Sequence, residues 1–256
     1  MWARLKTGLI MVAILAVFAG GLAASRLIKT SPYFRLQRIQ VALEGARFLD
    51  KAKIIKLSGL VLGQNLFEID LDQVKRRLEQ DPWVAEVFVA RKYPDTIYLK
   101  VYEEAPVAMV ATPKGIWLVN RKGVLFARAP RQLLRELPAL VGLSKEEIKR
   151  RRLSASRSAA LDLLAWLKGK EDVVPPYANI SQLKFEPDGF WLLTRDALRI
   201  RFSGNTSPEL RQAYRKLDCI LVYLYETDQY ARVRVVRLDY PADKAAFAFK
   251  KARRKS

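Results

Sequence analysis

The sequence predicts an α+β chain: an N-terminal membrane helix, a small strand-helix-helix-strand-strand module, and a β-rich domain with helices packed on an antiparallel sheet. Three observations predict it. A run of 19 uncharged residues lies near the start, between Lys6 and Arg26. Two short segments, each opened by an aspartate, then sit between runs of alternating hydrophobicity. Beyond residue 105 come several short alternating runs and one long amphipathic stretch near the C-terminus.

The uncharged run, Thr7–Ser25, spans roughly 28 Å as a helix, about the thickness of a bilayer's hydrocarbon core. Arg4, Lys6, Arg26 and Lys29 flank it on both sides. The short basic stub favours a cytoplasmic N-terminus, which places the rest of the chain outside. A cleaved signal peptide is the other reading, with Gly21-Leu22-Ala23 as a small-x-small site. Either reading exports the remainder.

Ser31-Pro32 ends this segment. Leu36–Val41 alternates and reads as a half-buried strand. Asp50 is placed to cap a helix to about Leu57, which Gly59 and Gly63 end. Asp70 caps a second helix, 71–80, with Leu71, Val74 and Leu78 on one face; Asp81-Pro82 stops it. Trp83–Val89 reads as a strand, Pro94-Asp95 as a turn, and Ile97, Leu99 and Val101 as the inward face of a further strand. Trp83 is expected to fill the interior of this module.

Val107–Ala111 and Gly115–Val119 read as strands, with a turn at Arg121-Lys122-Gly123 before Val124-Leu125-Phe126. Leu153–Leu167 is an amphipathic helix candidate. Ile180–Phe185, Phe190–Leu193 and Leu198–Phe202 are strands. Ser207-Pro208-Glu209 opens a long helix to about Tyr225. Val233, Val235 and Leu238 mark a strand, and Ala245–Phe249 a last short one. Cys219, among Leu217, Ile220, Leu221 and Leu224, is expected to be a buried small hydrophobe.

Composition narrows the chemistry. There is no histidine, which excludes Ser-His-Asp and Cys-His catalysis and His-ligated metals. The single cysteine excludes intramolecular disulfides, thiolate zinc sites and iron–sulfur clusters. The acidic neighbours Glu103-Glu104 and Glu146-Glu147 diverge on a strand or a helix, so no acid–base pair converges there. No phosphate-binding glycine loop follows a strand. The expectation is therefore no catalytic residue, no metal and no cofactor. Of the net charge of +20, residues 30–104 contribute almost nothing, with 12 basic and 11 acidic residues. Residues 120–157 hold 11 basic and 3 acidic residues, and the tail carries Lys250, Lys251, Arg253, Arg254 and Lys255. Such a surface meets something anionic; a nucleic-acid role fits poorly beside a near-neutral module and a membrane span. A secreted enzyme with a cleaved leader would need an Asp/Glu or Lys/Ser mechanism, and no such constellation is visible.

One run of residues carries a family resemblance. Gly63-x-Asn65-Leu66-Phe67-x-Ile69-Asp70, Leu78, Pro82-Trp83-Val84, Arg91-x-x-Pro94-Asp95-Thr96-Ile97 and Val101-x-Glu103-x-x-Pro106-Val107-Ala108 resemble the POTRA module of the bacterial cell-division FtsQ/DivIB family. Ile116–Phe126, Leu137-Pro138-x-Leu140-x-Gly142 and Val236–Tyr240 resemble that family's second, β-rich domain, although Arg237 and Asp239 stand in the reverse of the family's usual acid and base order. The resemblance implies residues 1–6 as a cytoplasmic stub, 7–25 as a transmembrane helix, 34–104 as the POTRA domain, 105–249 as the β domain and 250–256 as a basic tail. It implies a divisome scaffold rather than an enzyme: a single-pass inner-membrane protein, periplasmic in bulk and recruited to the septum. Its implied partners are FtsB- and FtsL-type proteins and septal peptidoglycan synthase components, with no small-molecule substrate. It places partner binding by strand addition at Tyr240, Ala245, Ala246, Phe247, Ala248 and Phe249, and gives Gly63, Asn65, Pro82, Trp83, Arg91, Pro94, Glu103 and Pro106 structural roles. The POTRA module is shared with export and outer-membrane assembly proteins, so a membrane-anchored POTRA protein serving those processes is the alternative.

Overall fold

A computed structural model describes residues 14–15, 31–204, 206–239 and 245–249. The chain divides into two compact units at Glu104/Ala105. Among the described residues no helix is long and apolar enough to cross a membrane, and the expected span 7–25 lies outside them except for Ile14 and Leu15. Tyr240 and the basic tail 250–256 also lie outside the described residues.

The first unit runs β1 (Arg38–Glu44), α1 (Lys51–Ser58), α2 (Leu71–Glu79), β2 (Val84–Lys92) and β3 (Thr96–Glu103). Its sheet order is β1-β3-β2, with β1 parallel and β2 antiparallel to β3. The order is strand-helix-helix-strand-strand, for the reasons visible in the sequence. The Asp50 carboxylate accepts from the Lys53 N–H at 2.7 Å, and Asp70 from the Gln73 N–H at 3.0 Å, so each satisfies an orphan donor of its helix. Gly59 closes α1 in the left-handed region at φ 66°. Ile97, Leu99 and Val101 alternate onto the buried face of β3, where Ile54, Leu66, Val74 and Leu78 complete the core. Trp83 departs from expectation. It is half-buried at the rim, stacked on Phe48 with centroids 4.3 Å apart, while Val84 beside it takes the interior position.

The second unit is a nine-stranded sheet with helices. Its strands are β4 (Pro106–Thr112), β5 (Gly115–Asn120), β6 (Leu125–Arg128), β7 (Ala139–Val141), β8 (Ile180–Glu186), β9 (Gly189–Thr194), β10 (Arg199–Phe202), β11 (Val233–Arg237) and β12 (Ala246–Phe249). The order across the sheet is β12-β11-β10-β9-β8-β7-β4-β5-β6. The sheet is rich in antiparallel pairs rather than wholly antiparallel. β4 with β7, β7 with β8, and β10 with β11 are parallel. Each parallel step needs a crossover. For β10 to β11 it is the long helix α5 (Ser207–Glu226); for β7 to β8 it includes α3 (Lys145–Arg150) and α4 (Ser158–Lys168).

α5 is capped by Thr206, whose hydroxyl accepts from the Glu209 N–H, and has proline in its first turn. Its buried stripe is Leu210, Tyr214, Leu217, Leu221 and Leu224. Tyr214 stacks on Phe202, and Phe202 on Phe190. The 153–167 helix begins later than expected. Leu153 is buried ahead of it, Ala155–Arg157 form a 3-10 turn, and α4 starts at Ser158. Cys219 is exposed, not buried. It lies two residues from both Leu217 and Leu221, about 200° around the helix from each, and so faces away from the sheet.

Candidate partner-binding edge

The sheet of the second unit ends at β12. That strand pairs antiparallel with β11 through Phe247↔Val236, Ala246↔Arg237 and Ala248↔Val235, with a bulge that brings Phe249 opposite Val233. β12 is outermost in the sheet order, so its other edge has no strand neighbour among the described residues. An outermost strand presents backbone N–H and C=O groups to an incoming chain.

Side-chain direction follows from the register. Directly opposed residues share a face. Phe247 and Phe249 therefore lie on the face of Val236 and Val233, which are buried against the helices. Yet Phe247 is 38% and Phe249 50% exposed. Two phenyl rings thus continue the core beyond the edge, without full cover. Ala246 and Ala248 take the opposite face beside Arg237 and Val235, where small side chains leave the backbone open to approach. Ala245 precedes the strand and is half-buried.

The supporting strands are held by ion pairs. Arg201 on β10 is buried; its guanidinium donates to Glu186 at 2.9 Å and lies 5.5 Å from the Trp191 ring centroid. The Arg201 carbonyl accepts from the Leu238 N–H at 3.0 Å, which fixes the end of β11. Arg237 donates to both oxygens of Asp239, at 3.0 and 2.6 Å. The reversed acid and base therefore still form a bidentate pair, which holds the Asp239 carboxyl below the usual range. Arg199, Arg232, Arg234 and Arg237 are exposed on β10, β11 and the turn before β11, so the strands beside the edge are cationic.

Among the residues of the POTRA-like motif run, Gly63, Asn65, Arg91 and Glu103 hydrogen-bond within the first unit. Gly63, at φ 89°, donates its N–H to the Leu36 carbonyl at 2.7 Å. The Asn65 side chain accepts from the Phe67 N–H at 2.9 Å. Pro82 is exposed and follows Asp81, whose carboxylate accepts the Trp83 N–H. Arg91 reaches from β2 to donate to the Leu66 carbonyl at 2.8 Å and the Ile69 carbonyl at 2.6 Å. Pro94 is half-buried in the β2–β3 turn. Glu103 receives the backbone N–H groups of Arg47, Phe48 and Leu49, the last at 2.7 Å. Pro106 does not join them. It is the first residue of β4 in the second unit, where its carbonyl accepts from Lys168 at 2.8 Å.

Three features of the second unit lie outside the sequence expectations; of these, only Ser144-x-x-Glu147 carries a local signature, the capping-box spacing. β7 is only three residues long, yet it joins β4 to β8. Ser144 and Glu147 form a capping box on α3, and Glu147 is buried. Asp196 accepts hydrogen bonds from Thr194 and Tyr230, tying the β9–β10 turn to the segment after α5. Among the described residues no group of three or more Cys, Asp or Glu is placed to hold a metal ion.

Comparison with known proteins gives the same direction. The FtsQ-type POTRA domain model matches residues 37–104. Over 157 residues, 57% of this chain, it is 31% identical to the cell division protein FtsQ of Syntrophotalea carbinolica, of which it covers 53%. Over 198 residues, 77% of this chain, it is 27% identical to FtsQ of Myxococcus fulvus, of which it covers 68%. Over 129 residues it is 32% identical to FtsQ of a Geobacter species, covering 50% of this chain and 46% of that protein. The matched stretches thus span about half to two-thirds of these relatives.

Proposed function

We propose that this chain, a relative of the FtsQ/DivIB cell division proteins with an FtsQ-type POTRA domain over residues 37–104, is a membrane-anchored scaffold of the bacterial division machinery. In this reading residues 1–6 stay in the cytoplasm and 7–25 anchor the chain. The domains 34–104 and 105–249 lie outside the inner membrane at the septum, followed by the basic tail 250–256. The second domain binds FtsB- and FtsL-type partners and, through them, septal peptidoglycan synthase components. Its work is association, not catalysis.

The observation that carries this reading is the position of β12 at the end of the nine-stranded sheet, with Phe247 and Phe249 exposed beside it. A partner segment adds as a further strand through backbone hydrogen bonds, seats an apolar side chain against the two rings, and is steered by the arginines of β10 and β11. Tyr240, outside the described residues, is assigned the same role on the family resemblance alone.

The test uses full-length protein in detergent and an FtsB segment from the same bacterium. Phe247→Ser with Phe249→Ser should weaken the complex at least about tenfold, and Ala248→Pro should do so by obstructing the edge, since proline removes a donor. The rings are half covered, so the Phe247→Ser, Phe249→Ser protein should lose some thermal stability, and affinity is compared well below its thermal midpoint. Unchanged affinity in both variants sinks the assignment of this edge. In cells, an N-terminal fluorescent fusion should form a band at midcell before constriction; a uniform peripheral signal argues for a different client.

A further inference from the structure

The end of the first unit nearest the proposed anchor carries an aromatic patch that its core does not use. Phe34, Phe67 and Tyr93 form a triangle of rings with centroids 5.1 to 6.3 Å apart, and Tyr33 adds a fourth ring 5.4 Å from Phe34. None of the four is in the buried core of the unit. Tyr33 is 66% and Tyr93 55% exposed. The neighbouring turn extends the patch. Leu36 and Gln64 pair through their backbones, as do Gly63 and Leu36, and this turn displays Val61 and Leu62 at 59% and 61% exposure. Arg35 bridges to Asn65 inside the same patch and is exposed.

Three backbone segments thus converge on a patch in which Tyr33, Tyr93, Val61 and Leu62 are exposed and Phe34 and Phe67 are half-buried. A core explanation fails, because the hydrophobic interior of the unit is complete without them.

We propose that this patch rests on the outer surface of the phospholipid bilayer that holds residues 7–25. The proposal rests on the anchor reading given above. Three observations favour lipid over other occupants. First, only seven residues, Arg26–Pro32, separate Ser25 from Tyr33, so the rings lie at most roughly 28 Å from the end of the anchor. A patch tethered that closely meets the surface at high effective concentration, so a weak affinity suffices. Second, the chemistry is that of a membrane interface: tyrosines with an apolar body and a polar tip, beside phenylalanines and aliphatic side chains. Third, the lead-in to the patch is basic. Arg38 is paired with Asp95 at 3.0 Å and Glu68 is exposed beside Phe67, but residues 1 to 37 hold five basic residues (Arg4, Lys6, Arg26, Lys29 and Arg35) and no acidic one. Those on the outer side suit anionic headgroups.

In consequence the first unit stands on the bilayer in a fixed orientation rather than swinging on its tether. Tyr33, Leu62 and Tyr93 would face the lipid, and the far end of β2 would face away. Tyr93 directly follows the last residue of β2, whereas Ala85 lies eight residues earlier, about 26 Å up the strand.

The experiment uses the full chain in nanodiscs of phosphatidylethanolamine and phosphatidylglycerol, in a Cys219→Ser background. Single labels are placed by Leu62→Cys, Tyr93→Cys or Ala85→Cys and carry an environment-sensitive fluorophore. Headgroup-nitroxide lipid is the quencher. Quenching at 62 and 93 at least about twofold above that at 85 supports the proposal. Nanodisc capture with equal, weak quenching at all three sites overturns the docking and leaves the anchor standing. A blue-shifted signal at 62 and 93 that lipid nitroxide does not quench means that the chain's own residues 16–30 or a protein cover the patch, and also overturns it. Failure of the chain to co-purify with nanodiscs removes the anchor reading and the docking together.

Discussion

Arg157 grips Glu147 through both carboxylate oxygens: its Nε donates to Oε1 at 2.7 Å and a terminal nitrogen to Oε2 at 3.0 Å. The same guanidinium donates to the Gly142 carbonyl at 3.1 Å and lies 4.5 Å from the centroid of Phe185 on β8. Glu147 in turn accepts the backbone N–H groups of Ser144 and Ser154, both at 2.8 Å. One buried ion pair therefore ties the end of β7, the start of α3 and the approach to α4 to the middle of the sheet.

Breaking this pair should be costly. Glu147→Ala leaves the Arg157 charge half-buried and two backbone donors unmet, which predicts a loss of about 3–5 kcal/mol in urea unfolding of the full chain. Arg157→Lys should recover only part of it, since a lysine cannot engage both oxygens and cover the Phe185 ring at once. A loss below about 1 kcal/mol for Glu147→Ala would show that the network is not a brace.

The same carboxylate sets an acid limit. Burial works to raise its pKa, but the hydrogen bonds from Arg157, Ser154 and Ser144 outweigh burial and hold it at about 2, against an ordinary 4.5. A depressed folded-state pKa gives stability that is fully present above about 4.5 and is lost as pH falls toward 2. The expected contribution is up to about 3 kcal/mol. Glu147→Gln should be the less stable protein at pH 7 and lose less on acidification to pH 3. Parallel pH profiles for the two proteins would contradict the assignment.

Much of the first unit was legible in the sequence because its signals are local. Asp50 and Asp70 cap helices from fixed offsets, and Ile97, Leu99 and Val101 alternate on β3. The strand Ala245–Phe249 was visible through the same alternation. Most of what escaped depends on distant partners; the local capping-box spacing Ser144-x-x-Glu147 is the exception. β7 has three residues, too few for any period, and exists because β4 and β8 stand on either side of it. The parallel pairing of β10 with β11 is invisible until α5 is known to cross between them. Cys219 is a different case. The stripe at 210, 214, 217, 221 and 224 excludes position 219 by helical geometry alone, whereas counting its apolar neighbours along the chain misplaced it.

Arg91 offers a sharper test of the first unit. Its two donors bind the Leu66 and Ile69 carbonyls, which end the loop that begins at Gly63. Arg91→Lys supplies one cationic donor for two acceptors set by a planar fork, and is expected to cost about 1–3 kcal/mol. Hydrogen exchange should show the 63–70 loop opening more often, with the Thr96–Glu103 strand little changed. Equal loss of protection across the whole unit would mean that Arg91 supports the core rather than the loop.

Gly142 marks a close approach in the second unit. It adopts φ 80°, and a Cβ placed there would collide with the Phe185 carbonyl oxygen. Backbone, unlike a flexible side chain, cannot step aside cheaply. Gly142→Ala combines a left-handed penalty with this clash and should lower stability by more than about 2 kcal/mol. Gly45→Ala is the control: φ is 71° but nothing lies within 4 Å, so only the conformational part, about 1–2 kcal/mol, should appear. Equal losses in the two variants would show that the approach to Phe185 costs nothing.

The exposed thiol gives the most direct check on how α5 is rotated. With Leu217 and Leu221 turned to the sheet, Cys219 faces solvent on the outer side of the helix. An aqueous thiol reagent should therefore modify one thiol per chain in the native state, at a rate within about tenfold of the denatured protein. Protection by several orders of magnitude would require that face to be covered. A protected thiol in a dilute, monomeric sample would mean that α5 is rotated from the position described. A thiol that becomes protected only at high concentration would instead reveal self-association through the outer face of α5, where Val222, Tyr223 and Tyr225 are exposed as well.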